Sequence, residues 1–180
     1  MTGCRLTGDW DRAAQGLQSD RMSLALKKAM LRVGFEAEVD VKKGIRDGAP
    51  GGKPFARLSS YTVARKGSSK PLIRHGDLMG SVTHQNVDAL TVWVGVKKGR
   101  ANADGSDYAD IAAVHEYGCT IKVTPKMRAF LHHEGLHLKK TTTAIRIPKR
   151  SFLQATLDGR AFRKKMRQIL AAAVQEALRK

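Results

Sequence analysis

Two long stretches with the periodicity of an amphipathic helix bracket a middle section that glycine and proline interrupt repeatedly. The first stretch predicts a helix over residues 9–33, which Gly34 ends, and the second predicts a helix over residues 158–178. The apolar face of the first helix consists of Met22, Leu26, Ala29, Met30 and Val33. The apolar face of the second consists of Phe162, Met166, Ile169, Leu170, Ala173, Val174 and Ala177. The fold class then depends on what the middle section forms.

Short stretches of alternating apolar and polar residues in the middle section predict β-strands. They are expected at 35–41, 81–86, 90–96 and 120–124, and in a hairpin that contains Leu136, Leu138, Ile145 and Ile147. Short helices or helical turns are expected at 59–65, 72–82, 108–117 and 125–131. This order predicts a single α+β domain over residues 1–180. A small antiparallel or mixed β-sheet would be packed by a long N-terminal helix and a long C-terminal helix.

Two segments are predicted to project from this domain. Residues 42–70 contain glycine and proline too densely for regular structure and predict an extended arm. The arm is either a disordered surface loop or an ordered segment that contacts a neighbouring molecule. Residues 120–147 predict an inserted β-hairpin with a basic, threonine-rich tip at 139–143. Contacts outside the subunit are therefore expected on these two segments.

Positive charge is concentrated in the last third of the chain. The formal net charge is +17, and residues 122–180 carry 15 Lys and Arg against 3 Asp and Glu. Such a field attracts nucleic acid, an acidic protein surface or an anionic membrane. On the last predicted helix, the candidates for contact with a DNA channel or an acidic partner are Arg160, Arg163, Lys164, Lys165 and Arg167. Without aromatic platforms or a known reading motif, these cations would contact phosphates and read no bases.

Cysteine usage and hydropathy favour a soluble chain made in a cytoplasm. The chain contains only Cys4 and Cys119, which form no disulfide framework. The first residues lack the apolar core of a signal peptide, and no run of 18 apolar residues occurs. We therefore expect no membrane partner.

The sequence predicts no catalytic or metal site and no cofactor. His115 and Glu116 begin like a zinc protease motif, but position 119, where the second histidine would stand, is a cysteine. The remaining histidines match no standard ligand spacing: His75, His84, His132, His133 and His137. No nucleophile elbow or phosphate-binding glycine loop occurs, and the acidic residues are too scattered for a two-metal nuclease. A role other than catalysis is expected.

Five short motifs occur in a fixed order over residues 8–153. They are Gly8-Asp9-Trp10, then Gly52-Lys53-Pro54-Phe55-Ala56-Arg57-Leu58-Ser59 with Thr62, then Leu72-Ile73-Arg74-His75-Gly76-Asp77-Leu78-Met79-Gly80-Ser81, then Ala113-Val114-His115-Glu116-Tyr117-Gly118, and last Ile147-Pro148-Lys149-Arg150-Ser151-Phe152-Leu153. In this order they resemble the phage virion-morphogenesis family, which includes tail-completion and neck proteins of long-tailed bacteriophages. The segment 125–145 departs from the shorter relatives as an insertion.

The resemblance implies a structural virion protein made in the bacterial host cytoplasm and located at the head–tail interface. It would form a homo-oligomeric ring, expected to be a hexamer, that completes the tail or neck during virion assembly. The implied partners are the portal (connector) or adaptor protein on one side and the tail terminator or tail tube protein on the other. Genomic DNA would pass through the lumen. The alternative is a basic nucleic-acid-binding protein without sequence readout.

The resemblance and the charge pattern together nominate two sets of residues. The scaffold residues are Gly76, Leu78, Ser81, Tyr117, Gly118, Pro148, Phe152 and Leu153. The residues expected to contact other subunits or partners are Lys53, Pro54, Phe55, Arg57, Lys126, Arg128, Lys139, Lys140 and Arg150. Arg150 is the first candidate for a fixed ion pair or a contact between subunits, the alternative being an ordinary solvated arginine.

Overall fold

A computed structural model of the chain describes residues 20–88, 90–102 and 105–179, and this part is α+β with a long helix at each end, as predicted. The helices are α1 (Asp20–Asp47), α2 (Ser60–Lys66), α3 (Asp77–Ser81), α4 (Tyr108–Tyr117), α5 (Pro125–His133), α6 (Leu153–Leu157) and α7 (Arg160–Leu178). The strands are β1 (Val82–Asn86), β2 (Val92–Val96), β3 (Cys119–Lys122) and β4 (Ala144–Ile147). Within the described ranges no helix is long and apolar enough to cross a membrane.

Helix α1 continues through Gly34 and through residues 35–41, so the predicted helix end at Gly34 and the predicted strand at 35–41 are both wrong. It runs unbroken to Asp47, and its buried residues Ala37 and Val41 are spaced by one helical turn. Gly34 marks a close approach, because a Cβ there would lie 2.5 Å from Val92 Cγ2. The glycine therefore admits the β1–β2 hairpin onto the helix. The start of the predicted helix, residues 9–19, and the Gly8-Asp9-Trp10 motif lie outside the described residues.

Among the residues that the structure describes, two separate two-stranded antiparallel sheets replace the single predicted sheet. The β1–β2 pair was predicted, and its register joins Val82 to Val96. The predicted hairpin between 136–138 and 145–147 is wrong, since β4 pairs with β3 instead and places Ile145 opposite Ile121. Helix α5, which was predicted as a single turn, fills the connection between them and is capped by the Thr124 hydroxyl.

Two apolar clusters, both built on α1, hold the domain together. The first, between α1, β1, β2 and α4, comprises Val41, Ile45, Leu78, Val82, Val96, Tyr108, Ala112 and Phe152. The second lies between α1 and α7 and comprises Val33, Ala37 and Phe162, with half-buried residues packed against them. On the predicted apolar face of α7 only Phe162 is fully buried. The face is therefore correct, but α7 lies near the surface.

The segment predicted as an irregular arm over 42–70 is more ordered than expected. Residues 42–47 belong to α1, a 3-10 turn follows at Pro50–Gly52, and α2 forms close to the predicted short helix at 59–65. The remaining extended piece is 53–59, which the side chain of Ser59 closes by capping α2. We refer to residues 53–59 as the arm. Helix α3 starts only at Asp77, after Gly76 turns the chain with φ 95°.

Candidate interaction surfaces

The carboxylate of Glu116 joins the end of α4 to the start of α6. Glu116 is 5% exposed. It accepts bonds from the backbone N–H groups of Phe152, Leu153 and Gln154 at 2.9, 3.0 and 3.1 Å. The Ser151 hydroxyl donates a further bond at 2.5 Å. A buried carboxylate requires such donors, and α6 has no cap of its own. Sequence reasoning missed this residue because a single glutamate near a helix end usually lies in solvent.

Arg150 connects the same region to the arm. Its side chain is buried, donating from Nε to the Ala56 carbonyl at 2.9 Å and from Nη2 to the Arg57 carbonyl at 3.1 Å. Its backbone N–H donates to the His115 carbonyl at 2.7 Å. The alternative of a solvated arginine is therefore wrong for this chain, whereas a contact between subunits stays a prediction. Arg150 holds the arm against α4, because its planar fork matches two successive carbonyls.

The predicted scaffold residues divide into an inner and an outer set. Phe152 is 0% exposed, Leu78 and Ser81 are buried, and Leu153 is half-buried. Gly118 is half-buried and has a φ of 79°, which favours glycine. A Cβ at this position would lie 3.1 Å from the backbone nitrogen of Lys149, so the neighbouring chain leaves little room for a side chain. The outer members are Gly76, which is half-buried, and Tyr117 and Pro148, which are exposed.

The arm presents its cations to solvent while one aromatic ring anchors it. Lys53, Pro54 and Arg57 are exposed, whereas Phe55 is half-buried against the first apolar cluster. Arg150 holds the backbone of the arm at Ala56 and Arg57, so the exposed side chain of Arg57 leaves from an ordered segment.

The insertion is organised by Arg128, which was predicted as an outward contact. Its guanidinium donates to the carbonyls of Leu138, Lys139 and Thr142 at 3.3, 3.0 and 2.6 Å. These bonds fold residues 138–142 onto α5. Lys126, Lys139 and Lys140 remain exposed. No group of three potential metal ligands occurs in the described part of the chain.

The cations predicted on α7 separate in the structure. Lys165 bonds Asp40 at 2.8 Å and Glu36 at 3.1 Å, which ties α7 to α1. Burial lowers the pKa of Lys165, but the hydrogen bonds to Asp40 and Glu36 raise it more, and the net shift is upward. The other four face an open groove of about 580 Å³: Arg160, Arg163, Lys164 and Arg167. A second groove of about 590 Å³ shares Arg160 and adds Lys53 and Lys149. We call these six residues the basic ridge.

A cavity of about 390 Å³ between α2, α4 and residues 72–78 has no counterpart in the sequence predictions. Lys66, Arg74 and His115 line it together with apolar side chains. Burial lowers the pKa of His115, and the cationic Arg150 and Lys66 lower it further. The pKa of Lys66 is lowered in the same way, by burial and then by Arg150 and Arg74. The cations Lys66, Arg74 and Arg150 therefore lie close to one another around this cavity.

Helix α1 presents large apolar side chains to solvent on the face opposite its core. Each is more than 40% exposed: Leu24, Leu31, Phe35 and Val39. Their spacings of seven and four residues place them in one stripe along the helix. The predicted strand at 35–41 concealed this surface, because two of the four were assigned to a sheet. We call it the apolar stripe.

Comparisons of the chain with protein-family models, with curated proteins and with solved structures gave no match. The resemblance to the virion-morphogenesis family therefore rests on the order of the sequence motifs and stays a prediction. The fold adds a separate observation, because it shows where those motifs lie relative to one another.

Proposed function

We propose that the protein is a structural subunit that forms a ring joining the capsid connector to the tail of a long-tailed bacteriophage. The observation that carries this proposal is the convergence of three motifs at one buried point. Arg150 links the motif at 147–153 to the arm motif at 52–59, and Glu116 links it to the motif at 113–118. If the three motifs serve one structural role in the family, we would expect them to contact one another in the folded subunit.

The surfaces of the subunit support an assembly role over a catalytic one. The apolar stripe on α1 is a surface that a monomeric protein usually covers. The arm and the insertion both carry exposed cations on segments whose backbones are held by internal arginines. Ordered projections of this kind suit contacts with neighbouring copies and with the adjoining rings, which in this proposal are the portal or adaptor and the tail terminator or tube.

Imaging of particles that lack the protein tests the proposal. DNA-filled heads and separate tails are expected to accumulate, because the ring that connects them is missing. Supplying the wild-type chain in trans should restore joined particles. Full heads with normally attached tails in the complete absence of the protein would refute the role.

A further inference from the structure

The structure assigns different tasks to the cations of α7. The charge of Lys165 is paired within the chain with Asp40 and Glu36, so this residue ties α7 to α1. Arg160, Lys164 and Arg167 point to solvent at spacings of four and three residues, which places them on one helical face. Arg163 lies beside them and donates to the Asp158 carboxylate at 2.6 Å. Four of the five cations therefore form one outward surface.

This surface extends beyond α7 onto two other segments. Arg160 lines both grooves, and the second groove also contains Lys53 of the arm and Lys149 after β4. Asp158 is the one carboxylate among the described residues that line them, and it already pairs with Arg163. Six cations against a single carboxylate create a continuous positive strip assembled from three separate parts of the chain.

The composition of the strip favours a phosphate backbone over a protein surface. Among the described residues that line the two grooves, no apolar side chain is larger than alanine. Stable protein interfaces have an apolar core with aromatic or large aliphatic residues, which this surface lacks. Binding to a nucleic-acid backbone requires only cations and polar side chains, because affinity comes from the release of counterions from phosphates.

We propose that the basic ridge binds the phosphate backbone of duplex DNA without reading its sequence. That this duplex is the genome passing through the ring rests on the proposed function. The isolated subunit is expected to bind duplex DNA in either case. The same ridge on successive copies would line the channel with phosphate contacts, and a contact without base readout allows the DNA to move past.

Two triple variants with the same loss of charge test the ridge. The ridge variant is Arg160→Gln, Lys164→Gln and Arg167→Gln. The control is Lys126→Gln, Lys139→Gln and Lys140→Gln on the insertion. All six side chains are exposed, so both variants should keep the wild-type thermal unfolding midpoint. Binding of each purified chain to a duplex of about 30 base pairs is measured by fluorescence anisotropy over roughly 50–200 mM salt.

The wild-type affinity is expected to fall steeply with salt, by several hundredfold over this range for about five phosphate contacts. The ridge variant should bind about tenfold or more weakly at the middle of the range. Its log–log salt slope should be shallower by between about two and three units. The control variant should stay within about threefold of wild type, because its cations lie outside the ridge.

Three outcomes would overturn the proposal. Equal losses in both variants would mean that net charge alone attracts DNA. A flat salt dependence of the wild-type protein would mean that few phosphates are engaged. Displacement of the duplex by poly-glutamate at equal charge concentration would indicate an acidic protein as the ligand. Ring assembly is judged separately from particle images, so failure of one proposal is distinguishable from failure of the other.

Discussion

At the residue scale, two buried polar side chains, Glu116 and Arg150, connect segments of the fold. Glu116 and Arg150 each bond backbone groups of a segment that is distant in sequence. Such hydrogen bonds add little to the free energy of unfolding, because water would otherwise bond the same groups. Removing one partner is costly, because the other is then buried without a hydrogen bond. Substitutions at these positions should therefore reveal which segments depend on each residue.

Glu116→Gln should lower the free energy of unfolding by about 2–4 kcal/mol. The neutral amide loses the charge that holds three backbone N–H groups, and its NH₂ group would face donors. Chemical denaturation with urea measures the change. Glu134→Gln is the matched control. Its carboxylate pairs with Arg65 at 3.2 Å on the surface, so the loss should be below about 1 kcal/mol. Equal effects of the two substitutions would contradict the capping role.

His115 should make stability depend on pH below its ordinary pKa of 6.5. Because burial and the nearby cations lower its pKa in the folded protein, the unfolded chain binds the proton first as pH falls. The stability contribution is thus present above pH 6.5 and is lost progressively below it, toward the folded pKa. Urea unfolding at pH 7.5 and 5.5 should show a smaller difference for His115→Asn than for wild type. The exposed His132→Asn serves as the control and should behave like wild type.

At the element scale, the position of the β1–β2 hairpin depends on a glycine within a helix. Gly34 costs about 1 kcal/mol of helix propensity relative to alanine, yet it lies in the middle of the 28-residue α1. The close approach of Val92 and His84 explains its presence. A branched valine has little freedom to move away, so the hairpin must shift if a methyl group is added.

Gly34→Ala should therefore destabilise the protein by about 1–3 kcal/mol despite the better helix former. Gly80→Ala in α3 is the matched control, since a Cβ there meets nothing within 4 Å. This control should be neutral or stabilising by up to about 1 kcal/mol. Thermal unfolding monitored by circular dichroism gives both signs. A stabilising Gly34→Ala would show that the hairpin is not seated on the helix.

At the scale of the whole molecule, the subunit carries its apolar stripe on α1 and its basic ridge on α7, the arm and Lys149. In the proposed ring, this would let one subunit contact a neighbour through the stripe and DNA through the ridge. Burial of the apolar stripe against another molecule would be favourable, because it would remove apolar surface from water.

Phe35→Asp should prevent the chain from restoring joined particles when it is supplied in trans. The aspartate would place a charge in the centre of the apolar stripe, where burial against another subunit costs several kcal/mol. Ser23→Asp is the matched control, with the same charge change at an exposed position of α1 outside the stripe. Counting tailed particles by electron microscopy measures both. Normal tail attachment with Phe35→Asp would exclude the stripe from the assembly contacts.

Local sequence signals predicted the helices and strands whose ends are marked by a capping residue or a glycine. Helix α4 begins and ends where the sequence indicated, because Asp107 caps one end and Gly118 closes the other. The β1–β2 hairpin and α7 were likewise readable from periodicity. The failures came where a local pattern permits two structures. The alternation from Phe35 to Val41 suits a strand. In α1, however, Ala37 and Val41 continue the buried face that includes Met22, whereas Phe35 and Val39 lie in the apolar stripe.

The sequence by itself determined the α+β class, the two long terminal helices and the concentration of positive charge in the last third. Tertiary structure alone decided that α1 continues through Gly34 and that β3 is the partner of β4. It also decided that Lys165, Arg128 and Arg150 bond groups within the chain. The physical reason is one of distance along the chain. Propensity, capping and periodicity act within a turn or a strand, whereas the partner of a buried charge or a strand edge is chosen by segments that meet only after folding.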